Sequence, residues 1–180
     1  MAIKAIVTDL DGVLTDGGMY YSAKTGWDVA NGETHEIGLI KKFHTRDASA
    51  ARWLSEKTGV KLFVVTAGEH ARNNAINASR MEVMYLAEPI SQGVMDKLVW
   101  LKNVAHIYGL ELSEIAYIGD DIIDIGCLSV VGFPSCPADA LTSVIGKCNW
   151  VSSRNGGYGV LGDLADQWRR FKLLEEKDDG

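Results

Sequence analysis

Near the start of the chain, Asp9-Leu10-Asp11-Gly12 follows a short apolar run. A second acidic group, Gly119-Asp120-Asp121 with Asp124 one helical turn on, follows another. Thr66 closes a third, and Lys97 stands ahead of an amphipathic stretch. Taken singly these residues say little. An aspartate after a strand is often a helix N-cap, Asp9 and Asp11 could mark a turn, and Lys97 could be a solvated helix lysine. The combination is more specific. Several carboxylates gathered on one edge are costly to bury without a cation. An oxygen-only donor set, aspartates with main-chain carbonyls, suits Mg²⁺.

The elements that must position these groups are short. Ile3 to Thr8, Lys61 to Thr66, Val83 to Leu86 and Ile115 to Ile118 are brief apolar runs rich in β-branched or aromatic residues, and each predicts a buried strand. Ala48 to Lys57, His70 to Ser79 and Asp96 to Tyr108 lie between or beside them with helical character; in the last, Leu98, Leu101, Val104 and Ala105 form a stripe. Strands alternating with helices predict an α/β fold, a doubly wound, mainly parallel sheet with helices on both faces. In such sheets ligands sit at the carboxyl ends of the strands, where these aspartates and Thr66 fall. Two regions break the alternation. Gly12 to His44 is too long for an unstructured loop, and its strand-like pieces at Met19 to Tyr21 and Glu36 to Phe43 predict a projecting β-hairpin, an insertion over about 12–46. Ser152 to Gly162 is glycine-rich ahead of a last helix, Asp163 to Leu174. It lacks the Lys-Ser/Thr of a nucleotide cradle, and a closing loop fits better. One domain over 1–174 with a frayed acidic tail at 175–180 is expected.

Composition narrows the function classes. The 180 residues carry 18 Lys+Arg against 24 Asp+Glu, a net charge of −6, which argues against a nucleic-acid partner. No apolar run approaches the ~20 residues of a membrane span. The cysteines Cys127, Cys136 and Cys148 show no CxxC spacing, and a reduced cytoplasmic setting is expected.

Read together, the motifs resemble the haloacid dehalogenase superfamily of phosphohydrolases, through Asp9-Leu10-Asp11-Gly12-Val13, Val65-Thr66, Lys97 and Gly119-Asp120-Asp121-Ile122-Ile123-Asp124. The chain is most similar to its small capless subgroup, the 3-deoxy-D-manno-octulosonate 8-phosphate (KDO 8-phosphate) phosphatases and nine-carbon ulosonate phosphatases. That similarity rests on Asp9 to Gly18, Phe43 to Asp47, Gly93 to Leu98, Ala116 to Asp124 and Gly156 to Val160. The resemblance implies an Mg²⁺-dependent phosphomonoester hydrolase acting through an aspartyl-phosphate. Asp9 would be the nucleophile and Asp11 the proton donor and acceptor. Thr66 would hydrogen-bond a phosphoryl oxygen, and Lys97 would balance charge. Asp9, the Asp11 carbonyl and Asp120 would hold the metal, and Asp121 and Asp124 would orient Lys97 or metal-bound water. It further implies a homotetramer whose projecting hairpin stands in place of a cap domain.

Two departures touch the substrate. Where the octulosonate enzymes have Thr-Gly-Arg, this chain has Thr66-Ala67-Gly68-Glu69, and a glutamate cannot pair with a carboxylate as arginine does. Arg46, Arg72, Arg80 and Arg154 are the candidates to take that place, with Gly68 and Glu69 as further candidate substrate contacts. After Arg46-Asp47 the family's glycine is replaced by Ala48. An acidic eight- or nine-carbon sugar phosphate is the expected substrate. The alternatives are another small phosphomonoester, or an oligomerisation or accessory subunit with little activity.

Overall fold

The computed structural model describes residues 3–18, 26–28, 33–35, 41–68 and 77–171. Five parallel strands form the central sheet, in the order β4-β1-β5-β6-β7: β1 Ala5–Asp9, β4 Lys61–Val65, β5 Ile115–Ile118, β6 Phe133–Cys136 and β7 Trp150–Val151. β1 lies between β4 and β5, so the loop after β1 opens between the loops after those two strands. This arrangement gathers Asp9, Thr66 and Asp120 on one edge.

Alternation along the strands divides the core. Ile6, Leu62, Val64, Ala116 and Ile118 face α1 (Thr45–Trp53) and α6 (Val160–Phe171), packing on Ala50, Leu54, Leu164 and Trp168. Ala5, Val7, Phe63, Val65, Ile115 and Tyr117 face α3 (Lys97–Ile107), α4 (Ile125–Leu128) and α5 (Thr142–Ile145), packing on Leu101, Val104, Cys127 and Val144. Each such buried Leu, Ile, Val or Phe side chain contributes roughly 1.5–3 kcal/mol. Helices thus cover both faces, as the alternating sequence predicts. A two-stranded antiparallel ribbon, β2 (Gly26–Asp28) with β3 (Glu33–His35), lies within the 12–46 insertion. The expected strand at Met19 to Tyr21 and residues 36–40 of its expected partner lie outside the described residues.

Other expectations need correction. Val83 to Leu86 forms no strand. It follows α2, helical over the described residues 77–81, as a turn in which Met84 N–H donates to Met81 O. Met81 and Met84 are buried while Val83 and Tyr85 are exposed, a spacing of three that belongs to a helical turn. The contact with β4 comes later, where Ala87 N–H donates to Leu62 O and Ser91 N–H to Val64 O. Two strands escaped the sequence reading: β6, which contains Pro134, and β7, only two residues long. The last helix starts at Val160, three residues before the expected Asp163.

Candidate active site

β1 delivers Asp9 at its last position, and the chain turns at once. The Asp9 carboxylate accepts the Leu10 N–H at 2.7 Å, and Thr15 N–H closes the turn on Leu10 O at 2.9 Å. Gly12 sits at φ +89°, a left-handed value, and a Cβ there would collide with the Asp120 carboxylate. The glycine of the opening motif therefore lets two acidic segments approach each other.

Lys97 is the first residue of α3, whose cap is Asp96. A cation at a helix N-terminus opposes the helix dipole. Two carboxylates offset this: Lys97 Nζ donates to Asp9 Oδ2 at 2.6 Å and to Asp124 Oδ1 at 2.8 Å. The lysine is only 1% exposed. Burial pulls its ammonium down, but the facing Asp9 and Asp124 charges outweigh that and hold it above its ordinary value.

Asp124 organises this edge. Its Oδ1 also accepts the Tyr117 hydroxyl at 2.7 Å, and its Oδ2 accepts the N–H groups of Asp120 and Asp121 at 3.1 and 3.2 Å. With both oxygens occupied, Asp124 is a hub for the loop rather than an open ligand. Asp120 is the reverse. Its Oδ1 is buried and has no hydrogen-bond partner among the described residues. Burial, then the Asp9 and Asp124 charges, push its carboxyl up to about 8; burial pushes Asp9 up to about 7 against the pull of Lys97. Oxygens of Asp9, Asp120 and Asp124 lie within 4.8 Å of one another. A hard dication fits against Asp9 and Asp120, with Asp124 bracing the loop behind them, and would satisfy the orphaned Asp120 oxygen.

Asp11 turns the other way. Thr66 Oγ1 donates to its Oδ2 at 3.4 Å and Thr15 Oγ1 to its Oδ1 at 3.0 Å. Lys41 Nζ reaches Oδ1 at 2.7 Å and Oδ2 at 3.0 Å. Gly68 N–H donates to Thr66 Oγ1, and a Cβ on Gly68 would lie 3.4 Å from that hydroxyl and 3.7 Å from Asp11 Oδ2. Asp9, Asp11, Thr66, Gly68, Lys97, Asp120 and Asp124 are therefore drawn to one edge.

The other described candidates make different contacts. Asp121 is exposed and caps the short turn Ile122–Asp124 through Ile122 N–H. Arg46 lines a groove of about 340 Å³ between α1 and α6, with Trp53 and Asp166. Arg154 is exposed, and its charge acts on Asp163. Arg80 lies over the Phe43 ring at 5.6 Å. Glu69 and Arg72 lie outside the described residues. Lys41, Thr15 and Tyr117 were not singled out in the sequence. Thr15, four residues after Asp11, and the Lys41-Lys42 pair just before Phe43 were the available signals.

A family model described as haloacid dehalogenase-like hydrolase matches residues 65–162. The chain belongs to the haloacid dehalogenase-like hydrolases. It is 29% identical over 164 residues to the 3-deoxy-D-manno-octulosonate 8-phosphate phosphatase of Haemophilus influenzae, covering 91% of this chain and 81% of that one. Over 97% of its length it is 25% identical to the N-acylneuraminate cytidylyltransferase A of Danio rerio, of which it spans 36%. Among solved structures, the Moraxella catarrhalis 3-deoxy-D-manno-octulosonate 8-phosphate phosphatase, in complex with magnesium, phosphate and KDO, superposes with a TM-score of 0.77 at 25% identity. That match covers 93% of this chain and 86% of the other.

Proposed function

We propose that the chain is an Mg²⁺-dependent phosphatase of an acidic eight- or nine-carbon 3-deoxy-2-ulosonate phosphate, of the KDO 8-phosphate or sialic-acid 9-phosphate type. The observation that carries this reading is the Asp9–Lys97–Asp124 triad beside the unpartnered Asp120 oxygen, set next to a second carboxylate, Asp11. Asp9, Asp120 and the Asp11 carbonyl would hold the ion. When bound, it supplies positive charge against Asp9 and the phosphoryl oxygens. In the first half-reaction Asp9 attacks phosphorus, the ester bond breaks, and the leaving oxygen takes a proton from Asp11. In the second, Asp11 takes a proton from water as that water attacks the aspartyl-phosphate, releasing phosphate and restoring Asp9. Lys97 is held against Asp9 and balances its charge; Thr66, fixed by Gly68 N–H, offers its hydroxyl to a phosphoryl oxygen. The names of the phosphatase relatives support the ulosonate substrate.

A second reading, an accessory unit with little activity, is favoured by the cytidylyltransferase of which this chain spans about a third. Retention of Asp9, Asp11, Thr66, Lys97 and Asp120 on one edge favours catalysis. The family resemblance supports a homotetramer, and three free cysteines support a cytoplasmic setting.

A panel of phosphorylated sugars and other phosphomonoesters, assayed with Mg²⁺ and with chelator beside Asp9→Asn, tests the proposal. Release of phosphate from an ulosonate phosphate, abolished by chelator and reduced at least ~10³-fold in Asp9→Asn, is expected. Turnover of other phosphomonoesters alone overturns the substrate. No turnover of any, with no Mg²⁺ binding by calorimetry, overturns the enzyme. Light scattering at a mass other than four chains overturns the tetramer.

A further inference from the structure

Residues 41–43, on the return from the insertion, are fixed at three successive positions. Lys41 reaches the Asp11 carboxylate with contacts to both oxygens. Lys42 lies over the Tyr158 ring, its Nζ 3.1 Å from the centroid. Phe43 pairs antiparallel with Thr15, whose hydroxyl donates to Asp11. Tyr158 belongs to the glycine-rich loop, which docks on the same turn: Gly157 N–H donates to Val13 O at 2.9 Å, and a Cβ on Gly156 would collide with Gly12 O. Two segments remote in sequence, 41–43 and 156–158, thus clamp the turn that carries Asp11.

Within this clamp the Lys41 side chain is only 8% exposed, whereas that of Asp11 is 38% exposed. Ordering a lysine costs rotamer entropy of order 2 kcal/mol, and an ordinary surface ion pair does not offset that well. A buried stem with an ammonium bridging both carboxylate oxygens is a means of fixing orientation. Thr15 donates to Oδ1 as well, so these two donors leave the carboxylate little freedom to rotate, while Thr66, at 3.4 Å from Oδ2, is the hydroxyl that turns to the phosphoryl group.

We infer that Lys41 is a positioning residue for the reaction, holding the Asp11 carboxyl by Oδ1, which it contacts at 2.7 Å, at the angle from which a proton carried on Oδ2 passes to the leaving oxygen. The inference rests on the role of Asp11 proposed above. It concerns a residue 30 positions away, with no part in the Asp9–Lys97 cluster. Misplacing a proton donor harms only substrates whose leaving group needs the proton. An alkoxide leaving from a sugar phosphate needs it; p-nitrophenolate does not.

The test compares kcat/KM, which reports steps up to leaving-group departure, for p-nitrophenyl phosphate and for the best alkyl phosphate of the panel. Wild type, Lys41→Met, Lys41→Arg and Asp11→Asn are measured with saturating Mg²⁺, and folding is checked by circular dichroism. Lys41→Met is expected to lose about 10- to 100-fold on the alkyl phosphate, part of the ~10²–10⁴ that proton transfer supplies. It should lose under ~3-fold on the aryl phosphate, and Lys41→Arg should recover most of the alkyl rate. An equal loss on both substrates overturns the inference in favour of direct phosphoryl contact, and no loss on either overturns it outright. If Asp11→Asn itself shows no leaving-group dependence, the role of Asp11 falls. If Asp11→Asn shows it and Lys41→Met does not, only the inference about Lys41 falls. Should Lys41→Met not fold, Lys41→Gln is measured in the same way.

Discussion

Asp9 and Asp11 are two residues apart, yet they meet opposite surroundings. Asp9 is 4% exposed, its partner Lys97 is the first residue of a core helix, and a hub carboxylate, Asp124, completes the cluster. Asp11 has a half-exposed side chain, and its cation arrives from the end of an inserted segment. A nucleophile gains from a dry, fixed setting in which charge interactions are strong. A proton carrier must reach both leaving group and water, which a half-exposed position permits. The sheet supplies the first setting, and loops converging on it supply the second.

The largest effect should come from breaking the dry side. In Lys97→Met, Asp9 and Asp124 become buried carboxylates without a cation. Breaking one partner out of such a pair costs about 3–5 kcal/mol. Because Lys97 is held above its ordinary 10.5, its contribution is complete below that value and fades only above it, so at pH 8 all of it is in force. Urea unfolding in chelator at pH 8 should show this loss. At pH 5 the deficit should shrink, as the orphaned carboxylates take up protons. A deficit independent of pH would mean that lost packing, not lost charge, dominates.

Asp47 sharpens the comparison from a third place. It is a buried carboxylate without the lysine that Asp9 and Asp124 share: its Oδ1 accepts Gly162 N–H at 3.1 Å near the start of α6, and its Oδ2 has no hydrogen-bond partner among the described residues. Burial pushes it up to about 6, against the Gly162 and Leu161 N–H groups and the Arg80 charge. A carboxyl raised in the folded state stabilises fully below its unfolded value of 3.8 and loses that contribution as pH rises through about 6. The shift corresponds to about 3 kcal/mol. Subtracting the stability profile of Asp47→Asn from that of wild type, in chelator, should leave a fall of this order confined to that window. A flat difference would mean that Asp47 is as well compensated as Asp124.

Sequence reading reaches these two settings unequally, for a physical reason. The dry cluster is written locally: Asp9 and, past Gly119, Asp120 follow apolar runs, Asp124 comes one helical turn on, and the register of Ile6, Val7 and Thr8 against β5 brings the two runs side by side. Lys97 is legible because its position just before a helical stripe is local too. Lys41 is not, because its pairing depends on the register of Phe43 against Thr15, fixed by the fold of a long insertion. The same distinction explains the misread segment at 83–86. Its residues have strand propensity, but burial of Met81 and Met84 at a spacing of three prevails. β6 was hidden by Pro134, which lacks a ladder donor, yet its carbonyl still accepts Asn149 N–H at 2.8 Å. Within one chain Arg46 lines the groove between α1 and α6, and the Arg154 charge acts on Asp163.

The smallest expected effect is the one that tests the contrast most directly. Lys41→Met removes a cation at the same distance from a carboxylate as Lys97→Met does, within a tenth of an ångström: 2.7 Å against 2.6 Å. If distance set the cost, the two losses would match. If solvent sets it, the Asp11 carboxylate left behind is rehydrated and still accepts Thr15 Oγ1, and the loss stays below about 1 kcal/mol. Urea unfolding of the two variants under one buffer decides between these. Lys41→Met should also lose part of its small deficit in ~1 M salt, where exposed charges are screened, while the Lys97→Met deficit should persist. Equal losses, both insensitive to salt, would mean that the clamp around Asp11 excludes water as fully as the core around Asp9. The division of the site into a dry nucleophile and a wet proton carrier would then fail.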